Sequence, residues 1–75
     1  MHFSKELDAT GLSCPLPILK TKKSLADMAS GQVLKVISTD RNSIKDIQAF
    51  ASQTGNVLLL STLENEKYIF FLQKK

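Results

Sequence analysis

Two prolines one residue apart, Pro15 and Pro17, set the strongest limit on how this chain can fold. Proline fixes φ and lacks a backbone N–H, so it does not fit inside a central strand or a helix interior. It is tolerated in the first turn of a helix, where the N–H groups have no intrahelical partner. The sequence therefore predicts a helix that starts at Pro15 or Pro17, directly after the only cysteine, Cys14.

The residues that follow have the period of an amphipathic helix. On a helical wheel, one face carries mainly apolar side chains, those of Ile18, Thr21, Leu25, Met28 and Ala29. The opposite face is polar and carries Lys20, Lys23, Ser24 and Asp27. Lys22 falls inside the apolar arc, so we expect its stem to pack and its ammonium group to reach water. Gly31 is expected to mark the end of this helix.

A second helix is predicted after Asp40. Its apolar stripe consists of Ile44, Ile47, Phe50 and Ala51. Asn42 or Ser43 can cap its N-terminus, and the segment from Ser43 to Asp46 has the spacing of a capping box. Gly55 and Asn56 are expected to end it.

Four segments are predicted to be strands: Phe3 to Asp8, for which the pattern is weak, and then Val33 to Ile37, Val57 to Leu63 and Lys67 to Gln73. Only Glu64, Asn65 and Glu66 separate the last two, which predicts a hairpin. Both crossovers that contain a helix are long enough to join parallel strands. The sequence therefore predicts one α+β domain over residues 1–75. Its two-layer sandwich has the order β-α-β-α-β-β, with two helices on one face of a mixed four-stranded sheet.

Composition excludes several classes of protein. One cysteine cannot form an internal disulfide, and the start of the chain has no apolar run typical of a secretory signal, so we expect a cytoplasmic protein. No apolar run is long enough to span a membrane. A net charge of +3 without a basic block makes direct nucleic-acid binding unexpected. No cluster of metal ligands is present, and neither a metal nor a cofactor is predicted.

Cys14 is the candidate reactive residue, because the predicted helix presents it at its N-terminus. The partial positive charge there favours a thiolate, although the two prolines remove N–H groups that would stabilise it. The sequence therefore predicts a modestly lowered pKa for Cys14. Pro15 favours an extended backbone at Cys14, which predicts a stiff corner around the sulfur.

No second cysteine or nearby histidine is evident as a partner for Cys14. A protease or a dithiol oxidoreductase would need one. A lone thiol can still accept a sulfur atom and surrender it, which is the function of a carrier. The alternative interpretation is that Cys14 is an inert residue that precedes the helix.

The segment Gly11-Leu12-Ser13-Cys14-Pro15-Leu16-Pro17, the helix after it, Gly31, the apolar strand and Asp40 through Ile47 resemble the TusA/SirA-like sulfur-carrier family. The resemblance covers almost the entire chain and implies the same β-α-β-α-β-β sandwich. It implies that Cys14 carries a persulfide and that Pro15 and Pro17 shape the motif. A sulfurtransferase of this kind is a carrier more than a turnover enzyme. Its implied partners are a cysteine desulfurase or rhodanese-like sulfur donor and a downstream acceptor protein.

The best-known members of this family lead sulfur to 2-thiouridine in tRNA, and other members serve different sulfur routes. This chain departs from the tRNA-thiolation pattern at three places. Leu16 stands where that type can have an acidic residue, Arg41-Asn42 replaces a frequent Asp-Pro, and Gln48 stands where proline is frequent. The carrier interpretation survives these changes better than a specific route does.

Candidate partner-binding residues are Lys20, Lys23, Asp40 and Arg41. Two other functions stay open at this point. One is an RNA-binding or regulatory module, which would need exposed basic or aromatic groups on one surface. The other is a thiol-based redox regulator that forms a mixed disulfide with another protein.

Overall fold

The computed structural model describes residues 1–75 and contains the predicted elements in the predicted order. The elements are β1 (Lys5–Ala9), α1 (Leu16–Ala26), β2 (Val33–Ser38), α2 (Ser43–Thr54), β3 (Val57–Glu64) and β4 (Lys67–Gln73). The predicted α+β fold is confirmed. Neither helix has the length and apolar character needed to cross a membrane.

The four strands form one mixed sheet in the order β1-β2-β4-β3. The pair β1 and β2 is parallel, whereas β4 runs antiparallel to both β2 and β3. Because β1 and β2 are parallel neighbours, their carboxyl ends meet at one edge, where Ala9 is opposite Ser38. Each strand leads into a helix from this edge, so the loop before α1 lies beside the loop before α2.

The core lies between the sheet and the two helices, which pack on the same face. Alternate residues of β2 and β4 point toward the helices and are opposite one another, Leu34 with Leu72 and Val36 with Phe70. All four are fully buried. The apolar stripes of the helices complete this cluster with Leu25, Ile47 and Ala51. The alternation predicted for the strands and the helical period predicted for the helices therefore converge on one layer of packing.

Helix α1 is shorter than predicted, because it ends at Ala26 and not near Gly31. Gly31 lies in the turn before β2 with φ of +88°, a conformation that favours glycine. Its N–H donates to the carbonyl of Lys74, which ties the turn to the end of the chain. Met28 is buried from this turn, whereas Ala29 is exposed outside the helix.

The capping box predicted at Ser43 is wrong. The hydroxyl of Ser43 is buried and forms a 2.6 Å hydrogen bond with the hydroxyl of Ser38. Asn42 occupies the N-cap position without a side-chain cap. The carboxylate of Asp40 accepts the N–H of Asn42 at 3.0 Å in its place. The end of α2 follows the prediction, because Gly55 closes it in the left-handed conformation.

We expect Leu34→Ala to lower the free energy of unfolding by about 2–5 kcal/mol, because it leaves a cavity in the fully buried layer. Leu63→Ala is the matched control, since it makes the same chemical change at a side chain that is 60% exposed. Its effect should stay within about 0.5 kcal/mol. Urea denaturation followed by circular dichroism measures both. Equal destabilisation by the two substitutions would contradict this description of the core.

Candidate functional site

Cys14 is exposed in the loop between β1 and α1. Gly11 turns the chain away from β1 with φ of +79°, and its N–H donates to the hydroxyl of Thr39 at 2.8 Å. A second turn follows, in which the N–H of Leu16 donates to the carbonyl of Ser13 at 2.9 Å. The Cys14–Pro15 peptide bond inside this turn is cis. The two turns place the thiol at the N-terminal end of α1.

The carboxylate of Asp40 holds this loop in place. One oxygen accepts the N–H of Cys14 at 2.7 Å, and the other accepts the N–H of Asn42 at 3.0 Å. Hydrogen bonds to an ionised acceptor are stronger than neutral ones. The N–H of Asp40 donates to the hydroxyl of Ser38 at 3.2 Å, which fixes Asp40 at the end of β2. Asp40 therefore joins the cysteine loop to the start of α2.

The two prolines occupy the start of α1, as predicted. Pro15 is at the N-cap position, and its carbonyl accepts the N–H of Leu19 at 3.1 Å. Pro17 is within the first turn and is buried. Its carbonyl accepts the buried hydroxyl of Thr21 at 2.8 Å. Their missing N–H groups thus fall where a helix needs none, and both rings stiffen the backbone next to the sulfur.

A cleft of about 290 Å³ opens beside the thiol, between the N-terminal half of α1 and one face of α2. We call it the thiol cleft, and its lining consists of Cys14, Pro15, Ile18, Asp46, Ala49, Phe50 and Gln53. Asp46 is the only charged side chain in this lining. The cleft is therefore a mainly apolar surface with one carboxylate near the sulfur.

The pKa of Cys14 is raised above its ordinary value, so the predicted lowering is wrong. The main cause is hydrogen bonding to the Asp46 side chain, which favours the protonated thiol. Partial desolvation adds to it, followed by the negative charges of Asp46 and Asp40. The thiol is presented at the surface and yet is mainly protonated near neutral pH.

The other predicted site residues do not line this cleft. Lys20 and Lys23 are exposed on α1, and Arg41 is exposed in the turn before α2. Asp40 is half-buried and uses both carboxylate oxygens within the chain. No three side chains of His, Cys, Asp or Glu lie close enough together to hold a metal ion.

The α2 side of the thiol cleft was not predicted as part of a site. Asp46, Ala49, Phe50 and Gln53 are spaced by three and four residues, so they share one helical face. That spacing was available in the sequence. The partner of this face was not, because only the packing of α2 against α1 brings Asp46 to Cys14.

Comparison with known proteins identifies the family. The family model described as sulfurtransferase TusA matches residues 5–74. The chain belongs to the TusA family. The sulfur carrier protein TusA of Allochromatium vinosum is 58% identical over 96% of this chain and 95% of that protein. The sulfur carrier protein TusA of Pseudomonas entomophila is 42% identical over 92% of this chain and 86% of that protein.

The fold comparison agrees with the family. The crystal structure of a SirA-like protein from Desulfitobacterium hafniense is similar, with a TM-score of 0.84 and 25% sequence identity. The likeness covers 93% of this chain and 96% of that one. The predicted resemblance to the TusA/SirA-like family is confirmed.

We expect Asp46→Asn to lower the pKa of Cys14, because the substitution removes the carboxylate that favours the protonated thiol. Alkylation by iodoacetamide near neutral pH should then be severalfold faster, since the thiolate is the nucleophile. Alkylation rates across a pH series, followed by intact mass spectrometry, give the midpoint. Asp27→Asn removes the same charge at the far end of α1 and should leave the midpoint in place. A midpoint that Asp46→Asn leaves unchanged would contradict the role of Asp46.

Proposed function

We propose that this chain is a persulfide carrier that accepts sulfane sulfur on Cys14 and relays it to an acceptor protein. The observation that carries the proposal is the single exposed thiol in the Cys-Pro-x-Pro turn of a TusA-family chain. Burial would prevent both loading and unloading, and Cys14 is exposed. Pro15 and Pro17 shape this presentation of the sulfur.

The loading step is a thiol–persulfide exchange that needs neither an oxidant nor a cofactor. The Cys14 thiolate attacks the outer sulfur of a persulfide on the donor, forming one S–S bond. The S–S bond of the donor breaks, and its own sulfur leaves as a thiolate that takes up the proton lost by Cys14. Unloading is the same exchange, with the acceptor thiolate attacking the outer sulfur on Cys14. Cys14 needs no resolving cysteine for either step.

The partners fit the same chemistry: a cysteine desulfurase or a rhodanese-like protein supplies the sulfur, and a further protein accepts it. Thiolation of tRNA is one route for this sulfur, and other sulfur-transfer routes remain equally compatible with the departures at Leu16, Arg41 and Gln48. The proposal is therefore a carrier without a fixed final product.

Neither alternative has an observation of its own in its favour. Stacking of RNA bases needs exposed aromatic rings. Phe70 is fully buried, Phe71 is 7% exposed, and Phe50 and Tyr68 are packed against the core. Phe3 is 37% exposed, but it packs against Phe71 and its ring is covered by the ammonium of Lys35, so it does not form a free stacking surface. A redox regulator working through mixed disulfides would use the same exposed thiol, and it differs from a carrier only in what Cys14 holds after reaction.

We expect incubation with a persulfide donor to add one sulfur atom to Cys14, and a small thiol such as dithiothreitol to remove it. Intact mass spectrometry measures both steps. Cys14→Ser keeps a similar size but presents a hydroxyl in place of the sulfur nucleophile, so it should fold and gain no sulfur.

The outcome separates the three functions. A wild-type protein that gains no sulfur from any persulfide donor, or a Cys14→Ser variant that gains it equally, would reject the carrier. A donor residue attached to Cys14 without extra sulfur would favour the redox regulator. Retention of RNA by the protein, with no change at Cys14, would favour the RNA-binding module.

We expect Lys20 and Lys23 to steer an acidic region of the partner, because both are exposed on the polar face of α1, the helix that begins at the thiol. Replacing both by Glu should slow association and weaken its dependence on salt, since exposed charges act mainly on encounter. The melting temperature should change little. Stopped-flow association at several salt concentrations is the measurement, and an unchanged rate at low salt would remove these lysines from the interface.

A further inference from the structure

The groove between α1 and α2 continues beyond the thiol cleft. A second cleft of about 470 Å³ lies farther along the helices, and we call it the lysine cleft. Its lining consists of Lys22, Leu25, Ala26, Phe50, Thr54, Asn56, Lys74 and Lys75. Phe50 lines both clefts, so the two adjoin at this aromatic ring, and we call them together the groove.

The two ends of this groove have opposite charge. Asp46 is the only charged residue that lines the thiol cleft, whereas the lysine cleft is lined by three lysines and no acidic side chain. Lys74 is held there, because its ammonium donates to the carbonyl of Leu25 at the end of α1, at 2.9 Å. Lys22 is exposed over the same cleft. A ligand with one charge would therefore be attracted to one end only.

We propose that this groove binds an extended segment of the protein that loads Cys14, with a basic side chain beside Asp46 and an acidic side chain in the lysine cleft. The inference rests on the proposed carrier function and adds to it the chemistry and direction of the donor segment. An apolar side chain between the two charged ones would cover Phe50.

Charge complementarity at both ends supports this occupant. The basic side chain also explains why the donor, and not the acceptor, fits the groove. Loading needs the Cys14 thiolate, and a cation beside Asp46 offsets the carboxylates that keep the thiol protonated. Only loading has to remove the proton of Cys14 first, because in unloading the acceptor brings the attacking thiolate and Cys14 leaves as a thiolate.

The geometry of α2 sets the spacing of the two charges in the donor segment. Asp46 and Thr54 lie near opposite ends of the groove and are separated by about 12 Å at the helical rise per residue. An extended chain covers that distance in about four residues. The acidic and the basic residue of the donor segment should therefore be separated by about this interval.

Synthetic peptide persulfides test this arrangement. In the matched peptide an Arg is adjacent to the persulfide-bearing cysteine, and a Glu lies four residues from that Arg. In the swapped peptide the Arg and the Glu are exchanged. The persulfide of N-acetylcysteine amide is an uncharged reference donor. We expect the matched peptide to load Cys14 about tenfold faster than the swapped one at low salt, by intact mass spectrometry.

The ratio of the two rates is compared within each variant, so a changed thiol pKa cancels. Asp46→Asn and Lys22→Gln should each reduce the ratio, and the double substitution should reduce it further, although Lys74 and Lys75 still line the lysine cleft. Lys67→Gln is the control, because it removes the same charge from β4 outside the groove and should keep the ratio.

Equal rates for the two peptides, with normal loading by the uncharged donor, would overturn the groove assignment and leave the carrier intact. A preference that the double substitution leaves unreduced would also overturn it. No loading by any of the three donors would overturn both proposals together.

Discussion

The carboxylate of Asp40 is the interaction on which the site depends. The parallel pairing of β1 and β2 brings two loops to one edge of the sheet, but it does not fix how they face each other. Asp40 does so, because one oxygen binds the N–H of Cys14 and the other binds the N–H of Asn42. The start of α1 and the start of α2 are thereby held by a single residue. The thiol cleft exists because these two helices are fixed side by side.

The charge around Cys14 follows from the same arrangement. A cysteine before a helix is expected to ionise readily, since the helix N-terminus favours the thiolate. Holding α2 against α1 also brings Asp46 to the thiol, and that carboxylate acts in the opposite direction. An exposed thiol that stays protonated reacts slowly with oxidants, because the thiolate is the reactive form. The position of Cys14 and its reactivity are thus set by different residues, the first by Asp40 and the prolines and the second mainly by Asp46.

The sequence was sufficient for features that depend on local rules. The prolines set the start of α1, the last three strands were found from their apolar runs, and the left-handed Gly55 ended α2. Predictions failed where the structure depends on a contact between residues that are distant in sequence. Ser43 fits a capping box locally, but its hydroxyl pairs with Ser38 in the buried layer. The prediction of a lowered pKa for Cys14 took only α1 into account, whereas Asp46 approaches the thiol from α2. Local spacing can place Asp46 on a face of α2, and only tertiary packing says what that face meets.

A lone cysteine suits a carrier only if the protein controls the exposure of the thiol and its ionisation separately. A permanently ionised thiol at this surface would exchange with many disulfides and persulfides, and a buried one would reach no partner. This chain keeps the thiol exposed in a stiff turn while a neighbouring carboxylate holds its proton. A positive charge that a bound protein places beside Asp46 would raise the fraction of thiolate, and an uncharged small oxidant would not. Specificity would then come from the balance of charge around the sulfur as well as from the shape of the cleft.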